Sequence, residues 1–327
     1  MADYINIYGQ DILAVASDPA NPTLGQIWYN TTSNTLKGGG VTTAGSWATG
    51  NNLNTARRAV GGAGTQTEAL AFGGFDTANT GATEEYDGTN WTNNPTGLNT
   101  ARRELASAGT QTAGLAFGGN TTVNTGATEE YNGSTWTSVN SMITARNGLG
   151  GCGTQASALA FGGYTSPPFT RRNETEEYDG TSWATSPGSL NTARGEIAGA
   201  GIQTAALAFG GDTPIANSAE TEEYNGSAWT SVNSMNTARR ALGGAGIQTA
   251  ALAFGGYTTT QIGATEEYDG SAWTSVNSMN TARYQLGGAG TQPAGLAFGG
   301  DVGPAATAAT EEYITTGIPN IKTITVS

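Results

Sequence analysis

Small and large apolar residues alternate over Ala250-Ala251-Leu252-Ala253-Phe254 and stop abruptly at Gly255-Gly256. A polar stretch follows, then Ala264 to Tyr268, an Asp269-Gly270 turn signal, and a second apolar-polar run around Ala272 to Val276. Upstream, Ala241 to Gly246 is a glycine-rich run of the kind tolerated in a strand only where neighbouring chains crowd closely. Four short strand patterns separated by turn residues therefore fill one stretch, and Asp-Gly or Asn-Gly between such runs is a strong hairpin signal. Helical periodicity is absent throughout.

The same stretch recurs six times. Its Thr-Ala-Arg marker falls at Arg57, Arg102, Arg146, Arg194, Arg239 and Arg283, spaced by 44 to 48 residues. Each copy has a Phe-Gly-Gly (Phe72, Phe117, Phe161, Phe209, Phe254, Phe298) and a Glu-Glu-Tyr (Tyr86, Tyr131, Tyr178, Tyr224, Tyr268, Tyr313). Four antiparallel strands in about 45 residues are the signature of a propeller blade, so the chain reads as an all-β, six-bladed β-propeller.

The tryptophan of each copy is out of step. Trp91, Trp136, Trp183, Trp229 and Trp273 follow the first five Glu-Glu-Tyr motifs, nothing follows the sixth, and Trp47 precedes the first Thr-Ala-Arg. Ser46 to Leu53 is therefore expected to supply the outer strand of the blade that Arg283 to Tyr313 leaves incomplete. That pairing of N-terminal and C-terminal strands closes the ring and removes its exposed edges. The expected division is an attachment segment over 1–45, the propeller over 46–313, and a C-terminal strand and tail over 314–327, with Ile318 to Val326 alternating apolar and polar residues.

Composition supports an array of short strands. Charged residues are only 12%, and polarity comes from Thr, Asn, Ser and 50 Gly. A net charge of −13 repels phosphate backbones and argues against nucleic acid as a partner. Apolar runs are far too short to span a bilayer, and Met1 to Gln10 has neither the basic nor the apolar part of a signal peptide. Cys152, the single cysteine, stands where other copies have Ala63, Ala108, Ala200, Ala245 and Ala289 and reads as a small buried side chain.

Alternation places the two glutamates of each Glu-Glu-Tyr on opposite faces of the strand. The repeated arginines are expected to form six equivalent salt bridges with Glu85, Glu130, Glu177, Glu223, Glu267 and Glu312, since guanidinium and carboxylate pair bidentately. A ring of carboxylates holding cations is the alternative reading of the same residues. The chain contains no histidine, which removes histidine-based triads and metal clusters. We expect no enzyme activity, no metal and no cofactor.

Symmetry breaks between the second and third strands. Copies read Phe75 to Thr80 and Tyr257 to Ile262, and the third lengthens to Tyr164 through Asn173. The residue after the repeated arginine also varies: Arg58, Arg103, Asn147, Gly195, Arg240, Tyr284. Both sets belong to one rim of a propeller, and loops on a rigid scaffold carry recognition. Tyr164, Phe169, Arg171, Arg172, Tyr257, Phe75 and Tyr284 are the candidate ligand contacts.

The double glycine, the aromatic after acidic residues and the tryptophan, from Trp47 to Tyr313, resemble the kelch repeat. The histidine-free chain departs from the copper-binding galactose oxidase relatives of that family. Asp179-Gly180-Thr181-Ser182-Trp183 lacks one residue of the sialidase turn motif. Within Pro19 to Lys37, Gly25-Gln26-Ile27-Trp28-Tyr29-Asn30 followed by Thr35-Leu36-Lys37 resembles a hairpin of virion structural proteins of tailed bacteriophages. That resemblance implies a non-enzymatic virion protein, tail or fibre associated and assembled in the host cytoplasm. Its partners would be other virion proteins, further copies of itself and a host-surface glycan. A purely structural decoration or tail-assembly protein, and an intracellular kelch adaptor, are the alternatives.

Overall fold

The computed structural model describes residues 12–18 and 26–323. Two compact units emerge, one of Ser46–Ile314 and one of Met1–Gly45 with Thr315–Ser327.

The larger unit is a β-propeller of six four-stranded antiparallel blades. Blade 5 shows the plan: Gly243–Ile247, Ala250–Phe254, Thr265–Tyr268 and Trp273–Val276 pair in chain order, innermost to outermost. The four strands lie within one or two residues of where the hydrophobic pattern puts them. Inner strands touch in cyclic order, and Gly287–Thr291 of blade 6 lies against Gly61–Gly64 of blade 1, so the ring is closed. In blade 6 the third strand begins at Thr310 and the outer strand is the end of Thr35–Gly50. Trp47 packs 5.1 Å from Tyr313. The tryptophan missing after the sixth Glu-Glu-Tyr is thus provided from the N-terminal side.

Six equivalent seams hold the blades together. Each outer-strand tryptophan lies 4.8 to 5.1 Å from the phenylalanine of the preceding blade, as in Trp91–Phe298 and Trp47–Phe254. Its indole N–H donates to a buried threonine of that blade, Trp91 to Thr310 at 3.0 Å and Trp47 to Thr265 at 2.9 Å. A glutamine in the turn after each inner strand donates to two carbonyls next door; Gln66 reaches Gly295 and Tyr313 at 2.9 and 2.7 Å. Aromatic contact, a satisfied indole and a paired amide together seal each interface.

The smaller unit contains the hairpin expected from sequence. Ile27–Asn30 pairs antiparallel with Thr35 to Gly38, placing Trp28 opposite Lys37, and Leu13–Val15 adds a parallel neighbour. Trp28 is fully buried and donates to Asp18 at 2.9 Å, while Asn30 donates to the same carboxylate at 2.7 Å. These bonds hold the Asp18 carboxyl below its usual range. The C-terminal strand Thr310–Thr323 covers the first part of the expected Ile318 to Val326 strand. Residues 324–327, the start Met1 to Gln10, and Pro19 to Gly25 of the hairpin segment lie outside the described residues.

Candidate functional site: one variable face around the propeller axis

Framework charges have to be separated from the rest first. Each repeated arginine is fully buried and forms an ion pair, but with the first glutamate of the motif: Arg57–Glu84, Arg102–Glu129, Arg146–Glu176, Arg194–Glu222, Arg239–Glu266 and Arg283–Glu311. Glu85, Glu130, Glu177, Glu223, Glu267 and Glu312 face the other way. Each accepts the tyrosine hydroxyl of the next blade, as Glu130 does from Tyr178 at 2.9 Å and Glu312 from Tyr86 at 2.5 Å. Alternation separates the two carboxylates correctly; the first goes to the arginine, whose guanidinium also donates to backbone carbonyls of its own blade, as Arg57 does to Ala82 and Ala71 at 3.1 and 3.3 Å. The arginine carbonyl meanwhile accepts from the double glycine of the preceding blade, Gly74 to Arg102 at 2.8 Å and Gly256 to Arg283 at 2.9 Å. A Cβ on Gly73 would lie 2.8 Å from the Arg102 carbonyl, which is why this corner is glycine. Burial lowers the arginine pKa, opposed by the paired glutamate. Cys152 is likewise part of the frame: it is buried, which pushes its thiol up to about 12.

Beyond the frame, the variable residues lie in concentric rings on one face. Innermost are Ala59, Glu104, Gly148, Glu196, Ala241 and Gln285, all in left-handed backbone with φ of 47° to 58°. They hand a hydrogen bond from blade to blade: Glu104 N to Ala59 O, Gly148 N to Glu104 O, Ala241 N to Glu196 O, Gln285 N to Ala241 O and Ala59 N to Gln285 O, at 2.7 to 3.1 Å. Left-handed backbone costs on the order of 1 kcal/mol at each non-glycine position, and this belt offsets it. Outside it, antiparallel bridges join Arg58 to Phe75, Arg103 to Asn120, Asn147 to Tyr164, Gly195 to Asp212, Arg240 to Tyr257 and Tyr284 to Asp301.

Two clusters result. Across blades 5, 6, 1 and 2, the Arg240 guanidinium lies 5.1 Å over Tyr257, which meets Tyr284 at 5.1 Å. Asp301, beside Tyr284, binds Arg58; Phe75 sits between Arg58 and Arg103 at 5.3 and 5.0 Å. Phe75, Tyr257 and Tyr284 are half-buried. On blades 3 and 4, Phe169 stacks on Tyr164 at 4.7 Å with Arg171 over both rings. Arg172 turns aside to pair with Glu174.

Tyr164 departs from the sequence reading. Only 6% of it is exposed, because Gly195 of the next blade leaves the space its ring fills, and its hydroxyl donates to buried Asp212, which also binds Arg171. It supports Phe169 and cannot itself be an open contact. Sequence reasoning also passed over Glu104, Glu196, Asp212 and Asp301, having assigned the abundant carboxylates to the repeat frame. Their signal was available: aligned copies vary at the second residue after the repeated arginine, where Glu104 and Glu196 stand, and at the residue after the double glycine, where Asp212 and Asp301 stand.

On the axis, a cavity of about 100 Å³ opens within the inner belt, floored by Val60, Leu105, Leu149, Ile197, Leu242 and Leu286. Glu196 at its rim pairs with Arg240 at 3.0 Å, and burial, outweighing that pairing, raises its pKa to about 7. Asn147 donates to Glu104.

No family model and no curated protein matches this chain.

Proposed function

We infer that the propeller is a non-enzymatic recognition module, displayed on a bacteriophage tail or fibre, whose variable face binds a host-surface glycan. The observation that carries this reading is the segregation of residues. Six blades repeat the same seams and ion pairs, while the aromatic, arginine and unrepeated acidic side chains collect on one face around the axis. Aromatic faces beside planar groups with spare hydrogen-bonding capacity suit the apolar faces and hydroxyl pairs of sugars. The virion setting rests on the likeness of the Ile27 to Lys37 hairpin to phage structural proteins, and the kelch likeness on the double glycine, acidic-aromatic and tryptophan positions.

A specific feature favours a second reading, a decoration or tail-assembly protein that docks on other proteins. The loop tips of three successive blades expose Val123 (63%), Phe169 (62%) and Ile215 (94%). A glycan array probed with the full-length chain, together with immunogold electron microscopy of purified particles, separates the two. Glycan binding with label on the particle supports recognition; label without binding to any glycan or host surface supports assembly.

A further inference from the structure

The axial cavity combines an aliphatic floor with a polar rim. Val60, Leu105, Leu149, Ile197, Leu242 and Leu286 converge beneath it, and the only long side chains on the belt above them are Glu104, Glu196 and Gln285. Space for water-sized groups amounts to about 100 Å³ there, room for a small end group of a ligand, and the same six aliphatic residues line a second cavity of about 150 Å³ beyond them. An apolar floor holds no polar ligand, and a polar rim over it wastes no polar ligand atom, so an amphipathic end group matches both.

Charge narrows the class. Each arginine outside the frame already has its own carboxylate: Arg58–Asp301, Arg103–Glu104, Arg171–Asp212, Arg172–Glu174 and Arg240–Glu196. An anionic ligand would have to displace these pairs on a chain of net charge −13. A cationic ligand would find the rim carboxylates partly spent on Arg240 and Asn147. An uncharged ligand uses the pairs as they stand, each group fixed in orientation by its partner and retaining free donors or acceptors.

We propose that the axial cup takes the acetamido group of an uncharged N-acetylated sugar. The methyl is received by the aliphatic floor, and the amide N–H and C=O by the carboxylates and the Gln285 amide of the rim. This rests on the glycan-recognition reading of the same face and assigns its central subsite.

The test uses the full-length chain and calorimetric titration with four matched oligosaccharides built from N-acetylglucosamine, glucose, glucosamine and glucuronate. The N-acetylated ligand should bind about tenfold or more tighter than the glucose ligand, the gain expected from burying one methyl and pairing one amide. Its affinity should change little from low to high salt. Combining Glu104→Ala, Glu196→Ala and Gln285→Ala should erase that preference while the variant still melts in one cooperative transition, with its melting temperature shifted by the lost Glu196 carboxyl, because Ala59 and Ala241 occupy the same backbone conformation in the same belt. Equal binding of glucose and N-acetylglucosamine ligands, salt-sensitive preference for glucuronate or glucosamine, or a triple variant that keeps the preference would overturn the assignment. If glycans bind through Phe75 and Tyr257 but ignore the rim, the subsite fails and recognition stands. If no glycan binds, recognition itself fails.

Discussion

Each framework arginine joins two blades through different parts of itself, its carbonyl to the glycine corner behind and its guanidinium to the glutamate ahead. Removing one partner of such a pair strands the other charge in the interior. Arg239→Met should therefore cost about 3–5 kcal/mol, measured by denaturant titration, and Arg239→Met with Glu266→Gln clearly less. Glu196 gives a pH signature. Its carboxyl is raised from 4.5 to about 7 by burial, against the pull of Arg240, with Glu104 and Asp212 adding to the rise and Gln285 opposing it. A raised carboxyl stabilises the fold below its unfolded pKa and loses that contribution as pH climbs through the folded value. Wild type should thus lose on the order of 2 kcal/mol relative to Glu196→Gln between pH 4.5 and 7, read by melting the two side by side. At this scale sequence was a partial guide. Alternation told that the two glutamates diverge, but not which faces the arginine, because that depends on how the preceding link enters the blade. Tyr164 looked like a contact because its burial is decided by a glycine in the next blade.

Strands and their order were the most legible part of the molecule. Double glycine, Glu-Glu-Tyr, a two-residue turn and tryptophan recur at fixed steps, and each has a local physical reason that needs no long-range knowledge. The displaced Trp47 even disclosed the closure, since one blade lacked an outer strand and the N-terminal segment had one to spare. The seam glutamines were not read, because Thr-Gln in a turn looks like ordinary polar surface until the neighbouring blade is in place. If closure works as described, Trp47→Ala should destabilise the ring about as much as Trp273→Ala, by about 3–5 kcal/mol each. Deleting residues 1–53 exposes the edge of Thr310 to Ile314 and should unfold or oligomerise the protein, seen by light scattering after size exclusion. A truncated chain that stays monomeric with unchanged melting contradicts this.

Across the whole propeller, sixfold repetition and its breakdown are separated in space. Glycine corners, ion pairs and aromatic seams account for nearly every invariant position, leaving the face around the axis free to diverge. All arginines outside the frame lie there, and Ser46–Ile314 contains no lysine at all. On the opposite side, Ile202 and Ile247 are half-exposed where other copies carry Thr65, Thr110, Thr154 and Thr291. Those two sites allow a matched control. Binding to host cells or to an array-positive glycan should be compared for two full-length variants, Phe75→Ala with Phe169→Ala and Tyr257→Ala, and Ile202→Thr with Ile247→Thr. The account predicts that the first loses binding at least about tenfold, the size of a typical anchor loss, with its fold intact, while the second binds as wild type. Retained binding by the first variant, with loss in the second, would contradict it.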